Sequence, residues 1–183
     1  IFLNFNSMQV SYQTPPRTLL EVFKMLPEGT RAELIDNSLY MSPAPTLSHQ
    51  RIVILLATQL YNLAAKKNLG EVTTGPVDVF LDKENIFQPD VVFVAKENSA
   101  ILHEDGIHGA PDLVIEILSP GSKKLDLTKK KDAYEKAGVK EYWIVEPLTK
   151  ETIGYQLNMG TYALLKKETG KLSSAILNHI FKF

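Results

Sequence analysis

Two apolar runs that carry carboxylates constrain this chain more than any other feature. Residues 111–118 read Pro-Asp-Leu-Val-Ile-Glu-Ile-Leu, a buried-strand pattern with Glu116 near its end. Upstream, Gln88-Pro89-Asp90 opens a second such run, Val91-Val92-Phe93-Val94. An isolated carboxylate is costly in a core unless it is paired, protonated or bound to a metal. Strand alternation puts Asp112, Val114, Glu116 and Leu118 on one face. If the two strands are neighbours, Asp90 and Glu116 can converge on one divalent cation. Magnesium suits such a pair, because it takes few protein oxygens and leaves positions for phosphate oxygens. The same spacing reads equally as a strand-end aspartate beside a turn and a glutamate in a structural ion pair.

The length of 183 residues fits one domain with a real core, read here as residues 15–183 behind a tail at 1–14. The formal net charge of −1 gives no global pull toward nucleic acid, so any such binding needs a local patch. The chain has no cysteine, which excludes disulfides, thiolate catalysis and cysteine–zinc sites. No run approaches the roughly 18 apolar residues of a membrane helix. The first eight residues lack the basic flank and apolar stretch of a signal peptide, and Met8 is a candidate natural start. A cytoplasmic protein is the expectation.

The pattern predicts a short helix over 17–26, a hairpin of 32–35 and 38–41 about Asp36-Asn37, and a long helix over 49–66 capped by Ser48. Strands follow at 71–81 and 86–94, then a loop-like stretch from 95 to 110 with room for a helical turn. After strand 111–118, Ser119-Pro120-Gly121-Ser122 opens a helix over 123–137, closed by Gly138. Further strands are expected at 142–145, 153–157, 162–165, 175–177 and 180–183. The order predicts an α/β fold with a mixed sheet.

Leu127, Lys130, Tyr134 and Ala137 form one stripe of the helix over 123–137, so Lys130 sits where an inward-packing residue belongs. It can neutralise Glu116 or reach a shared site; the alternative is a lysine whose stem packs while its ammonium reaches water. His49 opens the long helix, as a phosphate or metal contact or as a structural residue. Gln88 is a candidate for orienting a substrate phosphate. Tyr134 and Trp143 read as packing residues, and His103, His108 and His179 as surface histidines.

Gln88-Pro89-Asp90, Glu116-Ile117-Leu118-Ser119-Pro120, Asp126, Lys130, Tyr134, Gly138-Val139 and Glu141-Tyr142-Trp143, taken in order, resemble the bacterial putative restriction endonuclease family of the PD-(D/E)XK nuclease superfamily. Glu33-Leu34-Ile35-Asp36, Met41-Ser42-Pro43 and Ser48-His49 resemble its N-terminal half. The resemblance spans about residues 15–180. It implies a restriction-endonuclease-like core: a mixed central sheet flanked by helices, with an extra N-terminal hairpin and C-terminal antiparallel strands. It also implies that Asp90, Glu116 and the backbone carbonyl of Ile117 hold magnesium or manganese, and that Glu33 adds a further metal or water ligand, unless it is an exposed strand residue. The superfamily lysine two residues after the second carboxylate is missing, since Leu118 stands there. The resemblance supplies it from the next helix, as Lys130.

The implied reaction is metal-dependent hydrolysis of phosphodiester bonds in double-stranded DNA, with Lys130 positioning the water or stabilising developing charge. Seven lysines between 121 and 140 face three carboxylates, a local net of +4 that reads as a phosphate-binding helix or as an ordinary solvated one. The alternatives are a non-catalytic relative that binds nucleic acid or a protein partner, and a hydrolase of small phosphate esters. A homodimer would suit double-strand cleavage.

Overall fold

The computed structural model describes residues 15–183; the expected tail at 1–14, with its candidate start at Met8, lies outside the described residues. In chain order the elements are α1 (Leu19–Lys24), β1 (Ala32–Leu34), β2 (Leu39–Met41), α2 (Leu47–Lys67), β3 (Gly70–Thr74), β4 (Val79–Phe80), β5 (Ile86–Phe87) and β6 (Val91–Ala95). A 3-10 helix (Lys96–Ile101) precedes β7 (Leu102–His103), β8 (Gly106–His108) and β9 (Leu113–Ile117). Then come α3 (Lys123–Leu127), α4 (Lys129–Ala137), β10 (Glu141–Val145), β11 (Glu151–Asn158), β12 (Thr161–Thr169), β13 (Lys171–Ser174) and β14 (His179–Lys182).

The central sheet has the order β12-β11-β10-β9-β6-β3. Only β9 and β10 run parallel, because the chain between them crosses over through α3 and α4. Their five residues each are wholly buried, as the near-continuous apolar runs require. Leu113, Ile115 and Ile117 face α2, through Ile52, Leu56 and Leu60. Val114 and Leu118 face Tyr134 on α4. Glu116 shares the parity of Val114 and so faces α4.

A second sheet, β2-β1-β5-β4-β8-β7, carries the N-terminal hairpin. Asp36 and Asn37 both adopt positive φ, 51° and 50°, as a type I′ turn demands. The expected strand 86–94 is two strands in two sheets: β5 pairs with β1 and β4, whereas β6 pairs with β9 and β3. Pro89 cannot donate to a ladder, and the sheets part around it. The expected strand 71–81 is likewise divided, with Gly75-Pro76 between β3 and β4. The loop-like stretch after residue 95 holds the 3-10 turn and a small hairpin, β7–β8.

Helix boundaries also shift. Thr46, not Ser48, caps α2, accepting from the His49 backbone N–H at 3.3 Å. Thr46 follows Pro45 and is extended, at ψ 163°, so the helix starts two residues early and Ser48 lies inside it. The expected helix over 123–137 breaks at Thr128, whose φ and ψ are −128° and −95°. Residues 175–177 form a turn between β13 and β14, not a strand. No helix among the described residues is long and apolar enough to cross a membrane.

Two contacts fix the far side of the sheet. Trp143 opposes Gly154 across β10–β11, and a Cβ at Gly154 would lie 2.5 Å from the indole ring. The indole therefore occupies the space a side chain would take, and the β11–β12 register shifts just after Gly154. Glu141, fully buried, accepts from Trp143 Nε1 through one oxygen. Its other oxygen accepts from Ser174 Oγ at 3.2 Å and from the Ala175 and Ile176 N–H groups at 3.0 Å. Burial raises its pKa; the bonds from Ile176, Trp143, Ser174 and Ala175 oppose that rise. The carboxylate thus staples the β13–β14 turn to the central sheet.

Gly154→Ala should destabilise the protein by about 1–3 kcal/mol through overpacking against Trp143. Glu141→Gln should cost about 1–3 kcal/mol, because an amide has one acceptor oxygen where four donors converge. Urea unfolding measures both; unchanged midpoints would contradict the two contacts.

Candidate active site

The antiparallel register that pairs Val91 with Ile115 brings Asp90 opposite Glu116 where β6 and β9 leave the sheet. The Asp90 N–H donates to Glu116 Oε2 at 3.4 Å, and the Ile117 N–H donates to Asp90 Oδ2 at 2.8 Å. The two carboxylates expected to converge are therefore adjacent. Both line a cavity of about 380 Å³, walled by the proline-rich loop after β2 on one side and by Ser119–Ser122 on the other.

Lys130 reaches them from α4. It is 3% exposed, and its Nζ contacts Glu116 Oε1 at 2.5 Å, Glu33 Oε1 at 3.0 Å and Asp126 Oδ1 at 3.4 Å. The break at Thr128 does not displace it from the inward stripe: Tyr134, one turn on, is also buried and donates its hydroxyl to Glu116 Oε1 at 3.0 Å. Three carboxylates surround the ammonium at ion-pair distance. Lys130 is thus bound into the wall of the site and is not free to reach a substrate.

Glu33 is buried, not exposed, since β1 packs against β5. Its Oε1 also accepts from the Gln88 N–H at 2.8 Å. The Gln88 side chain donates to the Thr30 carbonyl at 3.1 Å and to Asp78 Oδ1 at 2.9 Å. Both amide hydrogens are therefore committed to protein acceptors, which argues against the expectation that Gln88 orients a phosphate. His49 is buried and places Nε2 3.2 Å from Asp90 Oδ2, while its Nδ1 has no partner.

The electrostatics follow from one count. Glu33, Asp90, Glu116 and Asp126 crowd around a single ammonium and one imidazole. Burial alone would lower the Lys130 pKa, but the charges of Glu116, Glu33 and Asp126 outweigh it and hold the pKa well above the ordinary value. Each carboxylate receives only a share of that charge. Burial pushes the Glu116 pKa well up; Lys130 offsets this in part, while Asp126, Asp90 and Glu33 push it further. Asp126 is raised for the same leading reason. Burial would lower the His49 pKa, yet its bond to Asp90 and the Asp90 charge raise it.

This surplus of buried negative charge, on hard oxygen donors, fits a divalent cation. Among the described residues no three histidine, aspartate or glutamate side chains form a cage that could hold a metal unaided. A magnesium-type ion needs only one or two carboxylates when water and phosphate complete its shell.

Asp126 and Tyr134 were not singled out as site residues by the sequence. Two signals point to Asp126: its place in the ordered resemblance and its position four residues before Lys130 on the same helical stretch. The basic stretch proves less available than its composition suggests. Lys123 pairs with Glu146, Lys129 with Asp36, Lys131 with Asp132 and Lys140 with Asp112, and Lys130 is buried.

A search of curated proteins finds no match to the chain. Among solved structures, the fold is similar to a putative nuclease belonging to DUF820 from Anabaena variabilis. The TM-score is 0.72 at 18% identity, over 89% of this chain and 92% of that one. The family model for Uma2, described as "putative restriction endonuclease", matches residues 19–179. That span takes in the N-terminal hairpin, the central sheet and every residue of the acidic cavity, and the chain belongs to this family.

Proposed function

We propose that the protein is a divalent-metal-dependent endonuclease that hydrolyses phosphodiester bonds in DNA. The observation that carries this reading is the adjacency of Asp90 and Glu116 at the cavity, in a cluster with more buried carboxylates than cations to balance them. Asp90, Glu116 and the Ile117 carbonyl would hold magnesium or manganese. The chemistry such an ion supplies when bound is a lowered pKa for water and a polarised phosphoryl oxygen.

The remaining residues set the stage for that chemistry. His49 and the Ile117 N–H fix Asp90 through Oδ2. Lys130 and Tyr134 fix Glu116 through Oε1. Glu33 and Asp126 hold the Lys130 ammonium in place. Lys130 is accordingly a positioning residue that also supplies fixed positive charge beside the reacting phosphate.

Plasmid cleavage in magnesium or manganese tests the reading. Asp90→Asn and Glu116→Gln should each lower the rate more than about a hundredfold, beyond the range seen for outer-shell metal partners. DNA binding by the wild type without cleavage in either metal would favour a non-catalytic binding protein. Turnover of small phosphate esters alone would favour the third class.

Lys130→Met should cost about 3–5 kcal/mol at neutral pH, because it leaves three buried carboxylates without their counter-ion. Added magnesium should raise the melting temperature of this variant more than that of the wild type. Equal shifts in thermal unfolding would show that the carboxylates are not the cation site.

A further inference from the structure

The cavity walls are rich in polar groups, yet several of their strongest donors are committed. The Lys130 ammonium is shared among Glu116, Glu33 and Asp126. Gln88 spends both amide hydrogens on Thr30 and Asp78. His49 Nε2 is held by Asp90. A phosphate entering this space would meet carboxylates and find few free donors.

Among the permanently charged groups of the wall, Arg31 stands apart. It lies two residues before Glu33, so strand alternation puts both side chains on the same face, and both line the cavity. Its backbone is pinned, with the carbonyl accepting from the Ser42 N–H at 3.0 Å. Its side chain is not. Arg31 Nε is buried with no hydrogen-bond partner, and no ion pair among the described residues involves Arg31. A guanidinium that lines the same cavity as Glu33, Asp90 and Glu116 and pairs with none of them is unusual, because a buried unsatisfied donor is costly.

From this we infer that Arg31 is the phosphate anchor of the cavity, taking two non-bridging oxygens of the substrate phosphate through its planar fork. The inference rests on the proposed hydrolysis of phosphodiesters. The fork matches phosphate geometry, and the guanidinium stays charged at any working pH. Its contact is with the backbone of the nucleic acid, so it confers affinity without reading sequence. It also answers the repulsion of the acidic wall, supplying fixed positive charge that the wall itself does not consume.

Binding of two probes, inorganic phosphate and the dinucleotide thymidylyl-thymidine, is to be followed by NMR titration in the presence of magnesium. The proteins are wild type, Arg31→Met, Arg31→Lys and, as an exposed control, Lys124→Met. Arg31→Met should bind both probes about ten- to a hundredfold more weakly, the range of a lost charge-assisted hydrogen-bonded pair. Arg31→Lys should recover part of the loss, since an ammonium keeps the charge but not the fork. Lys124→Met should bind like wild type. Thermal unfolding identifies any variant that fails to fold, and Arg31→Lys, the conservative change, then carries the test alone.

No binding by the wild type, or binding by Arg31→Met within about twofold of it, overturns the anchor. If wild type binds through Arg31 but cleaves no DNA, the anchor stands and the nuclease reading falls. If wild type cleaves and Arg31→Met does so with unchanged KM, the nuclease reading stands and the anchor falls.

Discussion

The ammonium of Lys130 joins parts of the fold that are distant in sequence. Glu116 comes from the middle of the central sheet, Glu33 from the N-terminal hairpin, and Asp126 from the helix that begins the crossover. Each carboxylate would be costly where it lies without that cation, and the cation would be costly without them. The hairpin sheet, the crossover helices and β9 are therefore placed relative to one another by a single charge. Such a cluster contributes less to net stability than a well-packed apolar substitute would. What it provides is orientation: the carboxylate at the cavity is held with Oε1 against Lys130 and Tyr134 and Oε2 against the Asp90 N–H.

Much of this arrangement was legible because it broke a rule. β6, β9 and β10 stand out as apolar runs, and Asp90 and Glu116 stand out as violations of them. Lys130 was visible because helical spacing put a charge on an inward stripe. The parts that were not legible depend on tertiary neighbours. The run over 86–94 has uniform strand character, and nothing local says that its two halves belong to different sheets. Tyr134 packs its ring as an ordinary core residue, while its hydroxyl serves Glu116. Glu141 looks like any glutamate opening a strand, because the turn that satisfies it arrives from residues 174–176.

Charge composition misled for a related reason. The lysines after Ser119 count as a basic helix only if their partners are neglected. Asp36, Asp112 and Glu146, from three separate parts of the chain, return to neutralise Lys129, Lys140 and Lys123. The more exposed of these pairs, at Lys123 and Lys129, add little stability individually, yet all three lower the positive charge the helix displays. Arg31 shows the converse. It stands alone in the sequence among neutral and acidic neighbours, and only the fold reveals that it lines the acidic cavity with no ion-pair partner among the described residues.

The passage of the chain from β5 to β6 carries a mechanical consequence. Gln88, Pro89 and Asp90 are the whole of the β5–β6 link, one of several crossings between the two sheets, with Gln88 tied to Glu33, Thr30 and Asp78 on one side and Asp90 tied to Glu116 and Ile117 on the other. So short a strap leaves this crossing little slack. A change in the gap between the sheets at this link moves Asp90, so closure of the walls there on a ligand is felt at the carboxylate pair.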